Sequence, residues 1–344
     1  MDLRAKLKST GLLQVIGNTP LMRVQSLSQM TGCEIFMKCE NLNPGGTIKD
    51  RPALRMVVEA IVRGDLKPGM TIVEGTAGNT GIGLAMVGRA LGHKVIVVMP
   101  KGMAPEKHMV LKLYGAEIVE TEAVAYTDER HFFKVGKKIG LSSPDYWWAN
   151  QFDNPDNYLS HYLGTAPEMY EQMEGKMDAV VVAAGSGGTA AGISKFMKEK
   201  NPAIRIVIPD PAGSGIVNFF NRGEFESDGR YTMTEGVGIT RMVDNFKHIT
   251  QDRCYTIDDQ KLTWLAMFLR EQEGLVMGMS SMLNLAGAFN TALKYGPGKR
   301  IITFMCDGGE RAISKMYSTD FLKEKEIDGS VLSEKEIKEI YQSL

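Results

Sequence analysis

Ala179-Val180-Val181-Val182-Ala183-Ala184-Gly185-Ser186-Gly187-Gly188-Thr189 is an apolar run that stops at a cluster of glycines. Small and β-branched residues without interruption predict a strand covered on both faces, as in a parallel sheet, over Ala179–Ala184. A helix is predicted from near Ala190, so Gly185 to Thr189 form the strand-to-helix loop. Glycines let successive backbone N–H groups turn toward one point, and a helix start adds the positive end of its dipole. The loop is therefore a candidate cradle for a phosphate or carboxylate, although a tight connection would use the same residues.

The same grammar recurs on either side. Thr71–Glu74, Lys94–Met99, Glu117–Glu120, Arg205–Pro209 and Arg300–Cys306 read as further buried strands. Amphipathic stretches at Gly81–Leu91, Glu106–Tyr114, Pro155–Met173, Ala190–Glu199 and Lys261–Glu273 separate them. Strand and helix in alternation predict an α/β protein with mostly parallel sheets. A second glycine-rich loop, Glu74-Gly75-Thr76-Ala77-Gly78-Asn79-Thr80, also lies between strand and helix. Neither loop has the Gly-Lys-Ser/Thr ending of a nucleoside-triphosphate loop or the G-x-G-x-x-G spacing of a dinucleotide site. Asn154-Pro155-Asp156 marks a turn, and the likeliest seam between units falls at Gln151–Tyr158.

At 344 residues the chain is long enough for about two domains. Apolar residues at 43% and charged residues at 24% are globular values, which exclude fibrous and disordered classes. A net charge of −1 offers no positive field for a nucleic-acid backbone or an anionic membrane. Cys33, Cys39, Cys254 and Cys306 lack paired spacing and are expected to be reduced core thiols. The five histidines are scattered, and no metal site is expected. No apolar run approaches the ~20 residues of a membrane helix, and the first residues lack the pattern of a signal peptide, so a cytoplasmic location is expected.

Three further segments carry candidate chemistry. Lys49 stands in the turn-rich Asn43-Pro44-Gly45-Gly46-Thr47-Ile48-Lys49-Asp50-Arg51, ahead of a helix beginning near Pro52. It is either a solvated charge or an amine kept neutral by a helix N-terminus and able to form a Schiff base. Ser280 and Ser281 open a small-residue helix (Leu283–Leu293), where a hydroxyl serves as a cap or as a partner for a heterocyclic nitrogen. Ser333 and Glu336 form a capping-box pattern for a C-terminal surface helix.

Taken in order, these pieces resemble the fold-type II pyridoxal-phosphate enzymes, most closely the cysteine synthase and cystathionine β-synthase family. The similarity runs from about Val15 to Phe321, through Ile16–Leu21, the Lys49 segment, Thr76–Thr80, Gln151–Pro155, Gly185–Thr189, Glu235–Gly238 and Gly278–Ser281. It implies two units of the tryptophan synthase β type, each a mostly parallel twisted sheet flanked by helices. Residues 48–157 would form the smaller, mobile unit, residues 1–47 with 158–344 the larger, and the cofactor would sit in the cleft between. Lys49 would form the internal aldimine, Asn79 would bond the ring hydroxyl, and Gly185, Ser186, Gly187, Gly188 and Thr189 would hold the phosphate. Ser280 would meet the pyridine nitrogen, with Ser281 the alternative by a slip of one. Thr76, Ala77, Gly78, Thr80 and Gln151 would receive the substrate carboxylate.

The implied reaction is β-replacement on an activated L-serine such as O-acetylserine, with sulfide as nucleophile, giving L-cysteine through an aminoacrylate. A cysteine lyase releasing hydrogen sulfide and a catalytically silent regulatory paralogue are the alternatives. The resemblance further implies a homodimer and admits a serine acetyltransferase partner. Several residues depart from the family pattern. Gly75 and Ala77 replace proline and serine, Met282 stands where glycine is usual, and Ile239-Thr240-Arg241-Met242 replaces small and aromatic residues. These positions are expected to bear on the choice of leaving group and nucleophile.

Overall fold

Two sheets organise the chain, and the computed structural model describes residues 2–76 and 78–344. The strands are β1 (Leu21–Arg23), β2 (Glu34–Cys39), β3 (Thr71–Gly75), β4 (Val95–Pro100), β5 (Glu117–Thr121), β6 (Tyr146–Trp148), β7 (Ala179–Val181), β8 (Arg205–Pro211), β9 (Arg253–Ile257) and β10 (Arg300–Met305). A six-stranded sheet has the order β1-β2-β10-β7-β8-β9, and a four-stranded sheet the order β5-β4-β3-β6. Among the described residues, β1–β2 is the one antiparallel pairing between strands of these sheets. The α/β fold with mostly parallel sheets expected from the sequence is the fold observed.

Burial follows strand alternation. Val181, Ile301, Ile35 and Met37 enter the core on one face of the large sheet, and Val180, Val182, Ile302 and Phe304 enter the core on the other. At about 25 cal/mol per Å² of apolar surface, two covered faces make this sheet the rigid base of the molecule. The strand β2 was not foreseen because Lys38 interrupts its apolar run. That lysine is fully buried, and its Nζ donates to the Thr19 carbonyl at 2.5 Å, Glu168 Oε2 at 2.9 Å and Gln172 Oε1 at 2.9 Å. A buried charge with three acceptors is tolerated where a lone one is not.

Elsewhere the structure shifts boundaries. The predicted Pro155–Met173 helix is two helices, Pro155–Ser160 and Ala166–Gln172, joined by a π turn at His161–Thr165. The turn lets this segment approach the Gly188–Lys200 helix so closely that a Cβ at Gly192 would lie 2.4 Å from the Tyr158 carbonyl. Ser333 caps the Glu334–Gln342 helix with both bonds of the capping box, as expected. All four cysteines are free, and Cys254 is only partly buried, unlike the core thiol predicted there. No helix among the described residues is long and apolar enough to cross a membrane.

Candidate active site

The carboxyl ends of strands from both sheets point at a single cavity of about 570 Å³. Thr76 follows β3, Gln151 follows β6, Val182 to Thr189 follow β7, and Cys306 follows β10. Loops at these ends are free to carry polar groups, which is why ligands of parallel sheets collect there. Lys49, Thr76, Gly78, Asn79, Thr80, Gln151, Gly185 to Thr189 and Ser280 all line the cavity. Ala77 lies outside the described residues. Ser281 faces away from the cavity, donating through Oγ to the Asp307 carbonyl at 2.9 Å, so Ser280 is the serine of the pair that faces inward.

Lys49 is placed by its neighbours. Thr47 bridges to Asp307, and the Ile48 N–H donates to the Cys306 carbonyl at 2.8 Å, fastening the segment to the end of β10. Lys49 then caps the Asp50–Arg63 helix. Burial pulls its ammonium pKa down, with Cys306 and Asp307 acting weakly the other way. Desolvation thus favours the neutral, nucleophilic amine. His161 is also held neutral, chiefly by burial.

The glycine loop fits an anion. Gly187 adopts φ +81° and caps the Gly188–Lys200 helix, whose free N–H groups face the cavity end. A Cβ at Gly185 would lie 2.4 Å from the Gly236 carbonyl, and one at Gly188 would lie 2.0 Å from Asn157 Oδ1. A side chain would force backbone movement at Gly185 and would displace the Asn157 amide at Gly188. Thr189 Oγ1 lies 3.2 Å from His161 Nε2, and Ser186 Oγ accepts from Asn157 Nδ2 at 3.0 Å, so the loop is braced from behind. A phosphate-bearing, amine-reactive cofactor matches this donor set: a cradle of N–H groups, a desolvated lysine and an inward hydroxyl.

Asp307, which sequence reading did not single out, is a hub. Its Oδ2 accepts from Asn79 Nδ2 at 2.7 Å, and Arg311 Nη1 donates to Asn79 Oδ1 at 2.8 Å. Asn79 is thereby locked while keeping a second N–H free of these two bonds. Its only sequence signal was membership of the Asp307-Gly308-Gly309-Glu310-Arg311 segment. Beneath the other loop, Thr80 Oγ1 donates to Gln151 Oε1 at 2.6 Å, and Gln151 Nε2 donates to the buried Glu74 at 3.3 Å. Two departures find their reasons here. Met282 is fully buried in the core and does not narrow the cavity. Gly75 is required because a Cβ would lie 2.8 Å from the Phe132 carbonyl.

A family model described as pyridoxal-phosphate dependent enzyme matches residues 12–307. Cysteine synthase of Dictyostelium discoideum is 40% identical over 334 residues, covering 94% of this chain and 88% of that protein. The crystal structure of a cysteine synthase from Entamoeba histolytica matches with a TM-score of 0.83 at 31% identity, over 97% of this chain and 95% of the other. A crystallised hydrogen sulfide-producing enzyme from Fusobacterium nucleatum matches with a TM-score of 0.78 at 29% identity, over 88% and 99%.

Proposed function

The chain belongs to the pyridoxal-phosphate dependent enzyme family, among its cysteine-synthase-like members, and from that premise we propose that it makes L-cysteine by exchanging the β-substituent of an O-acetylserine-type donor for sulfide. The observation that carries the reading is the convergence on one cavity of Lys49, Asn79, the Gly185–Thr189 loop and Ser280. Pyridoxal phosphate, when bound, supplies an aldehyde for the lysine and substrate amines and a ring that accepts charge from the substrate Cα.

The residues around it do the rest. Gly185, Ser186, Gly187, Gly188 and Thr189 hold the phosphate through backbone N–H groups and a helix terminus. The Lys49 amine, lowered in basicity by burial, takes the Cα proton and returns it after the sulfur has added. The Ser280 hydroxyl meets the ring nitrogen without imposing a charge, a setting that suits β-elimination and replacement. Asn79, oriented by Asp307 and Arg311, meets the ring hydroxyl. Thr76, Ala77, Gly78, Thr80 and Gln151 receive the substrate carboxylate at the start of the Asn79–Ala90 helix. Lys107, Glu235 and Lys315 join across the cavity wall and help exclude water.

The reading includes a smaller unit at 48–157 and a larger one at 1–47 with 158–344, the cofactor lying between them. It is supported by the four-stranded sheet, whose strands all come from Thr71 to Trp148. A cytoplasmic homodimer completes it. Release of hydrogen sulfide from cysteine is the second reading, favoured by the Fusobacterium relative.

The test is chemical. Reduction of the protein with borohydride should leave a pyridoxyl adduct on Lys49, and Lys49→Ala should carry none. Faster product formation from O-acetylserine with sulfide than from cysteine alone supports the synthase. The reverse order assigns the lyase, and an adduct elsewhere or nowhere overturns both.

A further inference from the structure

The Met279–Tyr295 helix brings a second polar side chain to the cavity, one turn beyond Ser280. Asn284 is buried, and its bonds to main-chain groups leave its amide one orientation. Oδ1 accepts the Ala183 N–H, just beyond β7, at 2.6 Å, and Nδ2 donates to the Phe304 carbonyl, on β10, at 3.3 Å. A flipped amide would set donor against donor and acceptor against acceptor. The same Nδ2 donates to Cys306 Sγ at 3.2 Å.

Cys306 follows β10, lines the cavity and is itself buried. Burial pushes its thiol up to about 12, which a hydrogen bond with Ser280 only partly offsets, so the sulfur keeps its proton. Asn284 already donates to that sulfur, which leaves the S–H as the group with a bond to give, and Ser280 is the hydroxyl beside it. The neighbouring Ser281 is bonded instead to the Asp307 carbonyl. A hydroxyl both gives and takes hydrogen bonds, so Ser280 by itself would serve a bare ring nitrogen and a protonated one alike. The group behind it decides between them.

We propose that Asn284 and Cys306 are positioning residues that set the direction of the Ser280 hydroxyl: the Cys306 S–H donates to Ser280 Oγ, and the serine proton then points into the cavity to meet the cofactor's ring nitrogen. This deepens the β-replacement reading and rests on its placement of Ser280. The direction originates at the Ala183 N–H, which can only donate. Each later group is left one role, as Asn284 gives to sulfur, sulfur to serine, and serine to the ring. No proton is transferred along the series. A ring nitrogen that receives a hydrogen bond stays uncharged, whereas a protonated one is a stronger electron sink and opens transamination. The series thereby favours β-elimination and replacement over loss of the substrate amino group.

The test loads wild type, Cys306→Ser, Cys306→Ala and Asn284→Leu with pyridoxal phosphate isotopically labelled at the ring nitrogen, and reads that nitrogen by magnetic resonance. Absorbance checks that each protein is occupied. Wild type should show an unprotonated, hydrogen-bonded nitrogen. Cys306→Ala and Asn284→Leu should both move the resonance, and Cys306→Ser, which keeps a donor and an acceptor, should hold it near the wild-type position. In a Ser280→Ala background, Cys306→Ala should add no further shift, because the coupling runs through the hydroxyl. The two disrupted variants should also form pyridoxamine phosphate about two- to tenfold faster relative to β-replacement, the effect of one neutral hydrogen bond. A protonated nitrogen in wild type, an unmoved resonance in Cys306→Ala, or an equal shift with Ser280 removed overturns the proposal. Should Cys306→Ala bind no cofactor, Asn284→Leu decides by the same readings. Wild-type protein that takes up no pyridoxal phosphate overturns the underlying reading, and the proposal with it.

Discussion

Glu74, at the end of β3, is fully buried, and burial pushes its carboxyl up to about 8 despite bonds from Gln151 and the Asn150 backbone. The native state therefore holds a proton that the unfolded chain releases near 4.5. Between these values the folded protein binds more protons, so stability falls as pH rises, by up to about 1.4 kcal/mol per pH unit. Glu74→Gln should remove that slope, as read by denaturant unfolding at about pH 5 and about pH 8. An undiminished slope would assign the titration to another group. The residue was invisible in the sequence as anything but the last polar position of a strand. Lys49 was similarly undecided, because solvated and desolvated lysines share one letter, and only the closure of β10 behind it selects between them.

Strand-loop-helix elements were the most legible part of the chain. The Gly185–Thr189 loop could be drawn from sequence because a buried run followed by clustered glycines has few other uses. What makes its glycines obligatory is tertiary, since the obstructing atoms belong to Gly236 and Asn157, far away in the chain. Gly185→Ala drives a Cβ against the Gly236 carbonyl and should cost about 1–3 kcal/mol of strain. If the loop must hold its native course to bind the cofactor, affinity falls by roughly ten- to a hundredfold. Titration of apoprotein with pyridoxal phosphate, followed by its absorbance, measures this; unchanged affinity would show that the loop relaxes freely. The π turn at His161–Thr165 escaped prediction, because its helical periodicity is intact on both sides and the extra residue is selected by contact with the Gly188–Lys200 helix.

Across the whole molecule, Glu235 ties distant segments together at the cavity. It joins Lys107, on the Pro105–Leu113 helix, to Lys315, which follows the Asp307–Arg311 segment, and it accepts the Ala104 N–H at 3.1 Å. All three side chains are nearly inaccessible, at 6% for Glu235, 4% for Lys107 and 11% for Lys315. Burial alone would raise the Glu235 pKa, but the two ammonium groups outweigh it and hold the carboxyl below its usual range. Its stabilisation is therefore present above the ordinary carboxylate pKa and is lost as pH falls through the depressed value. Glu235→Gln leaves two buried cations without a counter-charge and should cost about 3–5 kcal/mol in unfolding free energy. A loss under about 1 kcal/mol would mean that the lysines escape to solvent.

The order of strands, loops and helices, and the residues that could meet a phosphate, an amine and a ring nitrogen, were determined by local chemistry: periodicity, glycine freedom and helix polarity act over a few positions at a time. Which lysine loses its water, which serine of an adjacent pair turns inward, and which thiol lies beside it were decided only when strands from two sheets brought their carboxyl ends together. Desolvation and hydrogen bonding depend on neighbours in space, and for Lys49, Ser280 and Cys306 those neighbours lie tens to hundreds of residues away.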